Sequence, residues 1–319
     1  MSEVNRSVAI GFPGQGAYNP LTMKRLLREH SGVLELVGEA EDTLDRALLP
    51  LLLDETGAET STRENQIKLY IGSSALWLTA ESEGIIDQIA PLESSRRVFF
   101  GASAGEYAAL MADGSYAFAD GLKLIDTRGE EMRKASIVRP GTMLVASGLP
   151  FKDAKKIAKE FPGAYAVNDT PGVQTVFAGR ADALQAIGDY LTRTHEGEVR
   201  LHWPGIPEAA HSIHMEPAIE GLKRALKEVK IKPPSHDFIG NQARRLTSTR
   251  AVRQHLWRQL TRGVLLTATA NKLYNEYEAR MLVDVGPGKV LYGQMKRHFR
   301  RSVELVSIVD ELLPEPKEK

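Results

Sequence analysis

The apolar positions fall into two textures along the chain. Val8-Ala-Ile-Gly11 is a short unbroken apolar run, the pattern of a buried strand. It breaks at Phe12-Pro-Gly-Gln-Gly16, whose small and rigid residues leave backbone amides exposed in a loop that can approach a ligand closely. From Leu21 to Leu53 and again from Gln66 to Gly84 apolar residues recur at helical spacing, which predicts at least two helices. Arg97-Val-Phe-Phe100 is a second compact apolar run ending at Gly101, and the residues from Glu106 to Met111 turn helical. The order there is strand, tight turn, helix. A further helix is predicted from Ala119 to Ser136, closed by Pro140-Gly141.

From Thr142 the units shorten: a strand over 143–146, a helix over 152–160, strands over 164–167 and 174–178, a helix over 181–194 and a last strand over 199–201. This β-α-β-β-α-β order is that of a small ferredoxin-like α+β subdomain. Its edges fall near Ser136 and Trp203, which predicts a small subdomain at 138–203 inserted into a large α/β domain built from 1–137 and 204–319. Long helices then return near 215–228 and 250–260, and an apolar strand, Met281 to Val285, precedes Gly286-Pro-Gly288. The tail beyond Leu313 reads as disordered.

Composition narrows the chemistry. With 319 residues, 42% hydrophobic and 26% charged, the chain has a sizeable core and its body should be fully folded. Lys+Arg 41 balance Asp+Glu 41, so no global field draws nucleic acid or an anionic membrane, and a charged partner must be met by a local patch. There is no cysteine, which excludes disulfides, thiolate metal sites, iron–sulfur clusters and a thiol nucleophile. No apolar run approaches the length of a signal segment or a membrane span, so a cytoplasmic location is expected.

A different nucleophile stands in Gly101-Ala-Ser103-Ala-Gly105, the G-x-S-x-G pattern at a strand-to-helix junction, where the serine of a nucleophile elbow protrudes. The amide of Ala104, at a helix N-terminus, is placed to stabilise an oxyanion. A plain Gly-Ser-Ala connection would read the same way in isolation. A serine needs a base, and among the eight histidines His211 lies in a Pro207-to-Pro217 segment suited to presenting an imidazole to a cleft.

Five blocks occur in order: Phe12-Pro-Gly-Gln-Gly16, Gly101-Ala-Ser-Ala-Gly-Glu106, Thr127-Arg-Gly-Glu-Glu-Met132, His211-Ser-Ile-His-Met-Glu-Pro217 and Val285-Gly-Pro-Gly-Lys-Val-Leu291. Together they resemble malonyl-CoA:acyl-carrier-protein transacylases and the acyltransferase domains of polyketide synthases, over nearly the whole chain. The resemblance implies an α/β-hydrolase-like large domain with a parallel sheet. It implies that Ser103 is acylated, that His211 is its base, and that the backbone carbonyl of Gln259 orients the imidazole in place of an acid. Gln15 and Ala104 would supply the oxyanion amides, Arg128 would pair with the free carboxylate of a malonyl-type chain, and Gln66 would line the same pocket. No metal or bound cofactor is implied. The thioester of coenzyme A or of a phosphopantetheine arm is the substrate, and an acyl carrier protein is the partner, with no role for nucleic acid or membrane.

The chain departs from the family at the pocket. Ala102 stands where the family normally has histidine, and Glu208-Ala-Ala-His211 matches neither the malonyl nor the methylmalonyl signature. Ala102, Ala104 and Ala210 either leave room for a bulkier acyl group or are filled by neighbours. Arg128 argues for a carboxylated acyl group, since a buried guanidinium facing an uncharged chain is costly. Alternatives are carrier-to-carrier transfer of an aminoacyl or dipeptidyl group, with Glu208 pairing the amine, an editing hydrolase, and a silent carrier-docking subunit. An acidic carrier calls for a basic surface, for which Arg244, Arg245, Lys296, Arg297, Arg300 and Arg301 are candidates; a plain solvated face is the alternative.

Overall fold

The computed structural model describes residues 6–56, 61–91 and 94–314. The expected disorder beyond Leu313 therefore falls almost wholly outside the described residues. In chain order the strands are β1 (Arg6–Phe12), β2 (Ser95–Gly101), β3 (Thr142–Ser147), β4 (Ala164–Thr170), β5 (Gln174–Gly179), β6 (Arg200–His202), β7 (Asp237–Gly240), β8 (Arg244–Leu246), β9 (Val264–Leu265), β10 (Met281–Asp284) and β11 (Glu304–Ser307). They form two sheets, ordered β11-β10-β1-β2-β7-β8 and β6-β3-β5-β4-β9.

The large sheet is parallel from β11 to β7, with β8 added antiparallel at the edge. β1 lies between β10 and β2, pairing Ile10 with Val283 on one side and Phe99 on the other. Both faces are covered, so Val8 to Phe12 and Val98 to Phe100 are buried without alternation, as parallel strands require. Loops at the carboxyl ends of β1, β2, β7 and β10 gather along one edge, where open α/β sheets place their ligands. The Leu21–Leu53 stretch resolves into helices Pro20–Glu29, Gly32–Leu44 and Leu49–Leu52. The next, Thr62–Ser82, is set by a capping box between Ser61 and Glu64 and is buried on most of its circumference. It packs against the helix Phe118–Val138, which brings Gln66 against Arg128.

The second sheet carries helices Phe151–Glu160 and Ala181–Thr194 on one face, where Leu144, Ala146 and Phe177 pack against Ile157, Leu184 and Ile187. Alternation sends Met143, Val145 and Val176 to the other face, toward the large domain. A register shift between Ala166 and Asn168 turns β4 over, so Asn168 pairs with Val176 and, with Thr170, joins that face. The fifth strand, β9, comes from beyond residues 138–203 and pairs with β4. Sequence patterning does not reveal it, because two residues carry no period. β7, β8 and β11 also lie outside the patterns read from sequence, each being four residues or fewer. No helix among the described residues is long and apolar enough to cross a membrane.

Candidate active site

Ser103 sits between β2 and the helix Gly105–Ala112 with φ 52°, a left-handed conformation that non-glycine residues hold only when surroundings enforce it. The turn is tight because its glycines lack side chains. A Cβ on Gly101 would lie 2.4 Å from the Glu106 amide nitrogen, and one on Gly105 would lie 2.2 Å from the Pro13 carbonyl oxygen. The second contact presses the elbow onto the Phe12–Gly16 loop, and Ala102 N donates to Phe12 O at 2.9 Å. Ala104 N–H, just ahead of the helix, and Gln15 N–H, in the loop, meet no intramolecular acceptor among the described residues.

Ser103 Oγ lies 2.7 Å from His211 Nε2. On the far side of the ring, Nδ1 lies 2.7 Å from the Gln259 backbone carbonyl and 3.2 Å from that of Arg262. A carbonyl only accepts, so Nδ1 carries the proton and Nε2 is the lone pair that receives the serine hydroxyl. Burial, then the nearby Arg128 charge, push the His211 pKa down from 6.5 to about 4, which keeps the ring neutral at physiological pH with its Nε2 lone pair free.

Arg128 is buried to 1% exposure. Nη1 donates to Gln66 Oε1 at 2.5 Å, and Nη2 to Ser103 Oγ at 3.0 Å and Gln259 Oε1 at 3.2 Å. All these acceptors are neutral, and its Nε–H has no partner among the described residues. Desolvation lowers its pKa. A cavity of about 250 Å³ opens here, lined by Gln15, Ala102, Ser103, Arg128, Ala210 and His211 from the large domain and by Met143, Val145, Asn168 and Thr170 from the second sheet.

Three expected lining residues stand elsewhere, and of these the Ala104 side chain is buried in the hydrophobic core of the large domain. Gln66 is fully buried behind Arg128, with its amide on Met132 Sδ, so it braces the guanidinium rather than facing the cavity. Glu208 accepts from Thr62 Oγ1 at 2.5 Å, and Thr62, not Glu208, lines the cavity. Burial raises the Glu208 pKa, which a hydrogen bond from a neutral hydroxyl only partly opposes. Among the basic candidates, Arg245 is paired with Asp237 at the amino-terminal end of β7, away from the elbow, whereas exposed Arg244 stands beside the turn at Asn241. Arg297 packs against Gly172 in the β4–β5 connection, one helical turn beyond Gln294, which lines the cavity. Lys296 lies over the Tyr292 ring, and Arg300 and Arg301 are exposed at the end of the helix Val290–Phe299.

Sequence reasoning passed over Asn241 and Glu106 as site residues. Asn241 Oδ1 accepts from Ser103 N at 3.0 Å, and the Glu106 carboxylate accepts from Asn241, His255 and Gln259. The available signals were the acid one turn after Ser103 and the turn residue following Phe238-Ile239-Gly240.

Residues 48–318 match the acyl transferase domain family, and the chain belongs to it. It is 30% identical over 298 residues to the malonyl CoA-acyl carrier protein transacylase of Haemophilus influenzae, covering 92% of each chain. Its fold is similar to that of the malonyl CoA-acyl carrier protein transacylase of Coxiella burnetii, with TM-score 0.87, 25% identity and coverage of 98% and 97%. It is also similar to a malonyl-transacylase solved with the acyl-carrier protein of a type II polyketide synthase, with TM-score 0.86, 26% identity and coverage of 97% and 100%. The protein is an acyltransferase with an α/β-hydrolase-like large domain and a ferredoxin-like subdomain.

Proposed function

We propose that the protein moves a malonyl-type acyl group from coenzyme A to the phosphopantetheine thiol of an acyl carrier protein through an ester on Ser103. The observation that carries the diacid is Arg128: a buried cation 3.0 Å from the nucleophile, with only neutral acceptors and no partner for its Nε–H among the described residues. A substrate carboxylate would supply the missing counter-charge and a charge-assisted hydrogen bond.

Ser103 Oγ attacks the thioester carbon as its proton passes to His211 Nε2. The Gln15 and Ala104 amides take the developing oxyanion. On collapse the carbon–sulfur bond breaks, and the departing thiolate takes the proton from His211. The carrier thiol then gives its proton to the imidazole and attacks the ester, and the same proton returns to Ser103 Oγ as it leaves. Side chains and backbone amides suffice for each step.

The small side chains of Ala102 and Ala210 at the cavity favour admission of substituted malonyl groups alongside malonyl. Glu208, turned onto Thr62, gives an aminoacyl amine no partner, so the diacid reading is preferred. Separating transferase from hydrolase requires the isolated acyl-enzyme. Discharge onto added holo-carrier with slow loss to water supports transfer; equally fast loss to water alone makes the protein a hydrolase.

A further inference from the structure

Glu106 is fully buried and one helical turn beyond the nucleophile, and its carboxylate is the meeting point of three segments. Asn241, in the turn between β7 and β8, gives it both donors: the backbone N–H at 2.7 Å and Nδ2 at 2.6 Å. Gln259 gives Nε2 at 2.6 Å, and His255 Nε2 lies 2.8 Å from one oxygen and 2.9 Å from the other. A carboxylate only accepts, so it dictates which end of each amide faces it.

That choice propagates outward. With Nδ2 of Asn241 held by Glu106, Oδ1 points the opposite way and receives the Ser103 N–H at 3.0 Å, pinning the residue whose φ is 52°. With Nε2 of Gln259 held, Oε1 receives Arg128 Nη2 at 3.2 Å, and the backbone carbonyl of the same residue stands 2.7 Å from His211 Nδ1. We infer that Glu106 is the positioning residue of the transfer, fixing the nucleophile's backbone through Asn241 and the base and guanidinium through Gln259. A carboxylate that only satisfied buried donors would have arms ending anywhere; the Asn241 and Gln259 arms end on Ser103, His211 and Arg128. The inference rests on Ser103 being the acylated group.

The test measures the pre-steady-state rate of Ser103 acylation by malonyl-CoA in the wild type, Glu106→Gln, Asn241→Ala and the double variant. Loss of positioning lowers the maximal acylation rate of Glu106→Gln by roughly 100-fold and of Asn241→Ala by roughly 10-fold, with KM changed less than about 3-fold. The double variant is no slower than Glu106→Gln alone, because Asn241 lies on the same arm. A rate within about 2-fold of wild type in Glu106→Gln, or in Asn241→Ala where Glu106→Gln does not fold, overturns the inference, as does a loss carried by KM alone. Wild type that gains no acyl mass on Ser103 sinks the transfer itself; labelled wild type beside an unaffected Glu106→Gln sinks this inference alone.

Discussion

The imidazole of His211 is oriented by a main-chain carbonyl, that of Gln259, 2.7 Å from Nδ1. The ring therefore has a neutral partner behind it, and its titration is governed by burial and by the cation at Arg128. Truncating the Gln259 side chain would remove both the bridge between Arg128 and Glu106 and the hold of Glu106 on the residue whose carbonyl orients the ring.

The first consequence is an unusually acidic pH limb. The base is lost only as pH falls through about 4, so acylation by an uncharged ester such as p-nitrophenyl acetate should stay level through neutrality and drop with a midpoint near that value. In Arg128→Met one of the two downward causes is gone, and the midpoint should rise toward 6.5. A wild-type midpoint of 6.5 would contradict this assignment. The stability sign follows from the same shift. The unfolded chain binds this proton near 6.5 and the folded chain only near 4, so this contribution to stability is present above 6.5 and is lost as pH falls between the two.

Arg128 should discriminate diacids from simple acids. Arg128→Ala is expected to lower malonyl labelling of Ser103 by on the order of 100-fold while leaving acetyl labelling unchanged or improved. Equal losses for the two donors would remove the reason for preferring a carboxylated substrate.

The contact between the elbow and the Phe12–Gly16 loop leaves no room at Gly105. A methyl group there would meet backbone oxygens of Pro13 and Phe12 at 2.2 and 2.4 Å. Gly105→Ala should cost about 2–3 kcal/mol in denaturant unfolding, and the surviving folded fraction should acylate slowly because the Gln15 amide is displaced. Wild-type stability together with wild-type acylation would show that the loop and elbow are not in contact.

The basic residues should separate by position. Arg297→Glu, next to Gly172 at the cavity's edge, is expected to raise KM for the carrier by roughly 10-fold at low salt and leave malonyl-CoA acylation unaltered. Arg245→Glu should do little to carrier KM, since that guanidinium is held by Asp237 away from the elbow. The reverse ranking would move the docking surface to the β8 edge.

Much of this architecture was legible in sequence because it rests on local signals. The apolar runs of β1 and β2, the Gly-x-Ser-x-Gly turn and the short alternating units from 142 to 202 each declare themselves within a dozen residues. What escaped was non-local. β9 exists only because β4 offers it an edge, and Asn241 meets Glu106 across 135 positions of chain. Glu208 and Gln66 were placed in the right neighbourhood, but their side chains turn onto Thr62 and Arg128, an outcome of packing that no spacing rule encodes.

The most direct measurement is intact mass followed by peptide mapping after brief exposure to malonyl-CoA. One malonyl group on the peptide containing Ser103, absent in Ser103→Ala and slowed by about 10⁴-fold or more in His211→Ala, is the predicted result. An unmodified protein, or label retained in Ser103→Ala, would contradict the account.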